Sequence, residues 1–223
     1  MKTATKARGS LDGATSSSRR LTVVTLFGFA SGLPFALTDS TLQAWLAVSG
    51  VDVKTIGLFS LLGLPYVLKF LWAPLLDRFC SIWLGRRRGW MAASQGAIVL
   101  AILSLGGRNP SDETLLVASI ALALAFASAT QDIAIDAYRA EILTADERGF
   151  GVGLSVAGYK VATIISGAGA FILADRLGFN AVYSIMALVA VLGLLVTVAA
   201  REPVLDVAAP QNLYTALVEP FSV

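Results

Sequence analysis

The sequence has no histidine, a single cysteine (Cys80), and charge on only 14% of its 223 residues. Without histidine there is no histidine metal site, no Ser-His triad and no imidazole proton relay. One cysteine excludes an internal disulfide framework. Any titrating chemistry must therefore use carboxylates, lysine or tyrosine. Soluble domains carry roughly 25% charged residues. The shortage here, with 56% hydrophobic residues and a mean hydropathy of +0.74, places the chain in a lipid bilayer. The net charge of +2 carries no nucleic-acid signal, because the basic residues gather in a few loops rather than on one face. No nucleic-acid partner, metal or cofactor is expected.

What is present is a series of long apolar runs. After a polar, basic arm at 1–20, expected to be disordered, runs of about 20 residues, each able to cross a ~30 Å hydrocarbon core as a helix, fall at 21–48, 54–76, 90–107, 114–138, 149–174 and 179–199. The first is too long for a signal-peptide core and lacks a cleavage site, so it reads as a retained span. The expected fold is all-α and integral to the membrane, a six-transmembrane-helix bundle over 21–200. Residues 201–223 form a linker that stops before any seventh span. Its "NLYTALVEPF" could lie on the membrane surface or lead into that span. The arm, the second and fourth loops and the tail hold twelve of the lysines and arginines, against three in the other loops. By the positive-inside rule both termini are cytoplasmic.

Charged groups at depth cost about 2.5–3.5 kcal/mol each on insertion scales, so they persist mainly where they pair or line a cavity. At 1.5 Å per residue, Asp132 lies roughly 10 Å inside Arg139, and Lys69 roughly 12 Å inside Asp77. Equal depth makes Lys69 and Asp132 a candidate pair. Lys160, roughly 18 Å inside Arg148, is nearer the midplane, where an anionic substrate group or a carboxylate is its expected partner. Ser128, Asp132 and Asp136 recur every four residues and share one helix face. Asp136, three residues from Arg139, is an expected end-of-span ion pair. Asp39 and Gln43 share a face of the first span near its outer boundary.

The tripeptide GLP occurs twice, placing Gly32 and Pro34 in the first span and Gly63 and Pro65 in the second. A proline inside a helix removes a hydrogen bond and kinks the chain, so these are expected helix breaks of the kind that transporters bend around a central site. The spacings Gly28-x-x-x-Gly32 and Gly149-x-x-x-Gly153 are assigned to close helix packing. An intramembrane aspartyl protease would need Tyr-Asp and Gly-x-Gly-Asp motifs, and neither is present, so no enzyme is expected.

The stretch "WAPLLDRFCSIWLGRRRGWM" resembles the motif after the second span of the major facilitator superfamily, with Asp77 and Arg78 as the acid-base pair ahead of the basic cluster. Ala73 and Pro74 replace its usual glycine region, and the spacer before Arg86 is longer. The combination "GFASGLP", "TLQAW", "KTIGLFSLLGLPYVLKFLWAPLLDR", "GRRRGW", "ATQDIAIDA", "ERGFGVGLSVAGY" and "SGAGAFILAD" is more specific. It resembles the AmpG-type muropeptide permeases from about Phe27 to the end.

The resemblance implies the N-terminal half of a major facilitator fold in a bacterial inner membrane. It implies proton-coupled import of GlcNAc-anhydro-MurNAc and its peptides from periplasm to cytoplasm, for peptidoglycan recycling. Family positions matched here are Lys69, Gln131, Asp132, Asp136 and Tyr159, with Lys160 where a basic residue is expected. Lys69, Gln131, Tyr159 and Lys160 would then bind substrate, and Asp132 would be the proton-coupling carboxylate. Asp77, Arg78, Asp136 and Arg139 would form gating ion pairs. Expected partners are the muropeptide, the proton, the bilayer, and either the missing half or a second copy of the chain. The alternatives are a carrier of another organic anion, such as acetyl-CoA, and an inactive half acting only as a membrane scaffold.

Overall fold

A computed structural model describes residues 2–78 and 84–203, with side chains from Ser16 to Leu76 and from Leu84 onward. The side chains of Asp77 and Arg78, Cys80, and the segment 204–223 with its expected surface helix lie outside the described residues. Inside a bilayer every backbone N–H and C=O must be satisfied within the chain, which leaves helices as the solution for apolar runs of this length. Among the described residues six helical spans are long and apolar enough to cross a membrane: Ser16–Val48, Val53–Leu71, Arg86–Gly106, Thr114–Ile142, Arg148–Leu177 and Phe179–Ala199. Every described secondary-structure element is helical.

Span one contains α1 (Lys2–Thr38) and α2 (Ser40–Val48). The α1 helix reaches back through residues whose composition suggests disorder. At Gly32 and Pro34 the helix continues, since α1 runs through both. The chain leaves the helix only at Asp39 (φ −106°, ψ −103°). There the Thr38 hydroxyl donates to the Pro34 and Phe35 carbonyls, at 3.1 and 2.9 Å.

Span two is the irregular one. It passes through α3 (Val53–Leu58), a 3₁₀ turn (Phe59–Gly63), α4 (Leu64–Leu68) and a second 3₁₀ turn (Lys69–Leu71), and α5 (Ala73–Arg78) follows. Gly63 closes the first 3₁₀ turn, and Pro65 opens α4, where a missing N–H costs nothing.

The longer helices α6 (Arg86–Gly106) and α7 (Thr114–Ile142) form spans three and four. Span five joins α8 (Arg148–Ile164) to α9 (Ala170–Leu177) through a π-helical turn at Ile165–Gly169, and α10 (Phe179–Ala199) is span six. π-Turns widen a helix and recur at functional positions. Here the buried Thr41 hydroxyl donates to the Ser166 carbonyl within that turn at 2.7 Å.

The closest crossing is α1 against α8. A Cβ added at Gly28, Gly32 or Gly158 would overlap the backbone oxygens of Ser155, Tyr159 and Thr25 respectively. Gly28 and Gly32 therefore serve packing, as their spacing suggests. Gly149 and Gly153 do not, since nothing described lies within 4 Å of a Cβ at either position, and both are exposed.

Two apolar clusters form the interior. One gathers Leu33, Leu37, Trp45, Ile98, Leu124 and Tyr183, the other Phe27, Leu76, Met91, Ile135 and Tyr138. Between them in sequence on α6 and α7 fall the buried Gln95 and Gln131. The two clusters thus sit at different heights in the bundle, with polar side chains at the level between.

Candidate functional site

The face of α7 that carries Asp132 and Asp136 opens on a cavity of about 170 Å³, lined by Gly28, Ser31, Asp132, Asp136, Arg139 and Tyr159 among others. Four spans contribute side chains to this neighbourhood. From α1, Ser31 Oγ donates to Asp132 Oδ1 at 2.5 Å. From span two, Lys69 Nζ lies 3.7 Å from Asp132 Oδ2 and 3.8 Å from Asp136 Oδ2. On α7 itself, Arg139 donates to Asp136 Oδ1 at 2.8 Å, and its other arm reaches Ser155 Oγ on α8 at 3.0 Å. Two carboxylates and two cations make the set neutral.

Lys69 opens the second 3₁₀ turn of span two, so an irregular backbone delivers the ammonium to α7. Its two contacts exceed hydrogen-bond length, while an ammonium has three N–H bonds to donate. The cation is held by field rather than by directed bonds. Its side chain is 33% exposed, and so it stays open to a further acceptor. Trp72 anchors the same segment, donating to Thr130 Oγ1 at 3.2 Å and stacking on Phe126 at 4.7 Å.

The other expected site residues separate into two groups. Tyr159 lines the cavity and lies 6.1 Å from the Phe35 ring. Lys160 is exposed on α8 with its ammonium 6.0 Å from the Tyr159 ring centre, and has no ion pair among the described residues. Gln131 is 1% exposed and faces away from the cavity. Its amide donates to Gln95 Oε1, whose own amide donates to the Ala190 carbonyl at 2.8 Å. The geometry of Gln131 is that of a tie between α7, α6 and α10. Unlike Tyr159, it does not line the Asp132 cavity. Ser31 and Ser155 escape sequence reasoning: serines are common in such helices, and only the contact across helices marks them.

A second charged cluster holds the arginine-rich end of the bundle. Glu141 accepts from Arg86 at 3.2 Å and from Arg87 at 2.6 Å. Glu202 accepts the first backbone amides of α6, from Arg87 N at 2.8 Å and Arg88 N at 3.1 Å. In return Arg88 donates to the last carbonyls of α10, Thr197 O at 3.0 Å and Val198 O at 2.5 Å. Each helix thus supplies a charge that satisfies the open end of its neighbour and complements its dipole. Arg20 grips Glu147 at 2.6 Å, with Ser17 also donating. These bonds hold the Glu147 carboxyl well below the usual range, at about 2, the Arg20 hydrogen bond being the largest cause.

Residues 22–221 match the Major Facilitator Superfamily. The chain is similar to the anhydromuropeptide permease of Escherichia coli K12, 44% identical over 202 residues, which is 90% of this chain and 41% of that protein. The same protein in Escherichia coli O157:H7 matches equally. An uncharacterized protein of Haemophilus influenzae Rd is 40% identical over 190 residues, covering 85% of this chain and 45% of the relative. The chain therefore spans about two-fifths of the length of these relatives.

Proposed function

The chain belongs to the Major Facilitator Superfamily, and from that membership we propose that it forms one six-helix half of a proton-coupled importer of anhydro-muropeptides. The observation that carries this is the contact of Lys69 with Asp132 and Asp136 within membrane-spanning helices, in a chain 44% identical to an anhydromuropeptide permease. Charges within membrane spans persist where they pair or line a pathway, and this set is neutral only while both carboxylates are ionised. Protonating one of them releases Lys69 to bind an anionic group. Proton and substrate carboxylate would thus arrive together, which is the physical requirement for symport.

In this proposal Asp132 is the proton site, Lys69 and Lys160 attract lactyl or peptide carboxylates, and Tyr159 offers its ring and hydroxyl to the sugar. Gln131 supports α7 from behind. Asp136 and Arg139 form the ion pair toward the cytoplasmic end, to which the arginine excess assigns both termini. A second six-helix half, or a second copy of the chain, completes the path, and the halves rock against each other to alternate access. The membrane is the bacterial inner membrane.

The test is uptake of labelled GlcNAc-anhydro-MurNAc into vesicles under an imposed proton gradient. It compares this chain with a version extended by the further length its relatives possess. Gradient-driven uptake that excess acetyl-CoA leaves unchanged supports the proposal. Uptake by neither version, or uptake equally driven without the gradient, overturns it.

A further inference from the structure

A cavity of about 240 Å³ lies at the arginine-rich end, lined by Arg19, Arg20, Val23, Tyr138, Ile142 and Arg201 among others. Its walls come from the ends of three spans. Arg19 and Arg20 stand at the start of span one, Ile142 closes span four, and Arg201 follows the last residue of span six by two positions. The cavity therefore sits at the level where the hydrocarbon of a bilayer gives way to its headgroups.

The carboxylates near this cavity are committed elsewhere. Both oxygens of Glu147 accept from Arg20, at 3.0 and 2.6 Å. Both oxygens of Glu202 accept the first amides of α6, at 2.8 and 3.1 Å. The Arg19 guanidinium donates to the Ala199 carbonyl at 3.4 Å, and that of Arg201 has no hydrogen bond or ion pair among the described residues. Each guanidinium has five N–H bonds to give, so both keep donors to spare. The Arg19 bond also places its guanidinium at the end of α10, two residues before Arg201. Behind them the buried Tyr138 hydroxyl donates to the Arg201 carbonyl at 2.9 Å, and its ring meets Phe27 edge-on at 5.1 Å. The backbone that carries Arg201 is thus anchored to the core while its cation stays exposed.

We propose that this cavity binds the phosphate of an anionic phospholipid, with Arg19 and Arg201 donating to its oxygens and the glycerol end of the acyl chains resting on Val23 and Ile142. The planar fork of arginine matches phosphate oxygens, and basic pockets between spans suit anionic headgroups. A soluble phosphate ester carries the same anion, but it gains nothing from the apolar wall. The bound lipid ties the start of span one to the segment that leaves span six. This site is separate from the Asp132 cavity and does not depend on what the chain transports.

The experiment is native mass spectrometry of the full chain in detergent, titrated with phosphatidylglycerol, with phosphatidylcholine, and with glycerophosphoglycerol, which is the first headgroup without its acyl chains. The parent should hold its first phosphatidylglycerol about tenfold or more tighter than phosphatidylcholine, whose phosphate charge is balanced by choline. Arg19→Gln and Arg201→Gln should each weaken phosphatidylglycerol binding several-fold, and together they should erase the preference. Both side chains are exposed, so the melting temperature in lipid-free detergent should stay at the parent's value. Arg148→Gln removes one charge beside Glu147 but outside the cavity lining, and should leave the preference intact. No preference for phosphatidylglycerol in the parent overturns the site. Equal losses in Arg148→Gln and Arg201→Gln reduce it to general surface attraction and overturn it likewise. Glycerophosphoglycerol bound as tightly as the lipid overturns the lipid assignment in favour of a soluble phosphate ester.

Discussion

The two charged clusters pair carboxylates with cations at different tightness. At the arginine-rich end, Glu141 and Glu202 are held at 2.6–3.2 Å by guanidinium groups and helix amides. At the Asp132 cavity, Lys69 stands 3.7 and 3.8 Å from its carboxylates. Arginine, whose planar fork bonds in fixed directions, makes the short pairs in both, including Arg139 with Asp136 at 2.8 Å, and the second adds Lys69, a point charge on a flexible stem. A cluster that only joins helices gains from short, directed bonds. One that must release a cation to a passing solute gains from loose ones. Distance and cation type together set Lys69 apart from the arginine pairs of both clusters.

The sharpest way to break that contrast is to remove a cation from the tight cluster. Arg87→Gln leaves Glu141 buried beside a weakened partner and should cost about 3 kcal/mol, read as a fall in melting temperature in detergent. Transport per folded molecule should be retained. A parent-like melting temperature would dissolve the distinction.

Next comes the loose cluster. Asp132→Asn keeps the shape and the Ser31 hydrogen bond, so the melting temperature should stay near the parent's while gradient-driven uptake drops about 100-fold. Loss of folding instead would make Asp132 structural. A smaller effect is expected from Glu202→Gln, which leaves an acceptor at the start of α6 but removes its charge. Stability should fall by roughly 1 kcal/mol, measured by the same melting curve.

The smallest effect concerns pH. The Glu147 carboxyl, at about 2 when folded against the ordinary 4.5, binds protons less readily in the folded chain. Its contribution is therefore complete above the unfolded value and is lost as the pH falls through about 2. Glu147→Gln should flatten the melting temperature between pH 5 and 3 relative to the parent.

Much of this architecture is legible in the sequence. Apolar runs of about 20 residues give the spans because lipid admits few other solutions. Counting residues inward from Arg139 and Asp77 puts Asp132 and Lys69 at one depth, where the structure brings them within 3.7 Å. Rotation about each helix axis is less legible, since neighbours set it. Gln131 and Asp132 are adjacent in sequence, yet one ties into the core at Gln95 and the other opens on the cavity. The two glycine pairs have identical spacing, and among the described residues only Gly28 and Gly32 meet another helix. The break at Asp39 instead of Pro34, the π-turn and the Glu202 cap likewise depend on tertiary contacts that no local pattern encodes.

The crossing of α1 and α8 has a consequence in the genetic code. Every single-base missense change in a glycine codon produces a residue with a Cβ. At Gly28, Gly32 and Gly158 that atom would overlap a backbone oxygen of the facing helix. No codon neighbour offers a conservative step, so this helix pair meets point mutation with no graded series of intermediates. Random mutagenesis scored by survival of folded protein should find these three codons among the least permissive of the gene, while those for Gly149 and Gly153 accept alanine and serine.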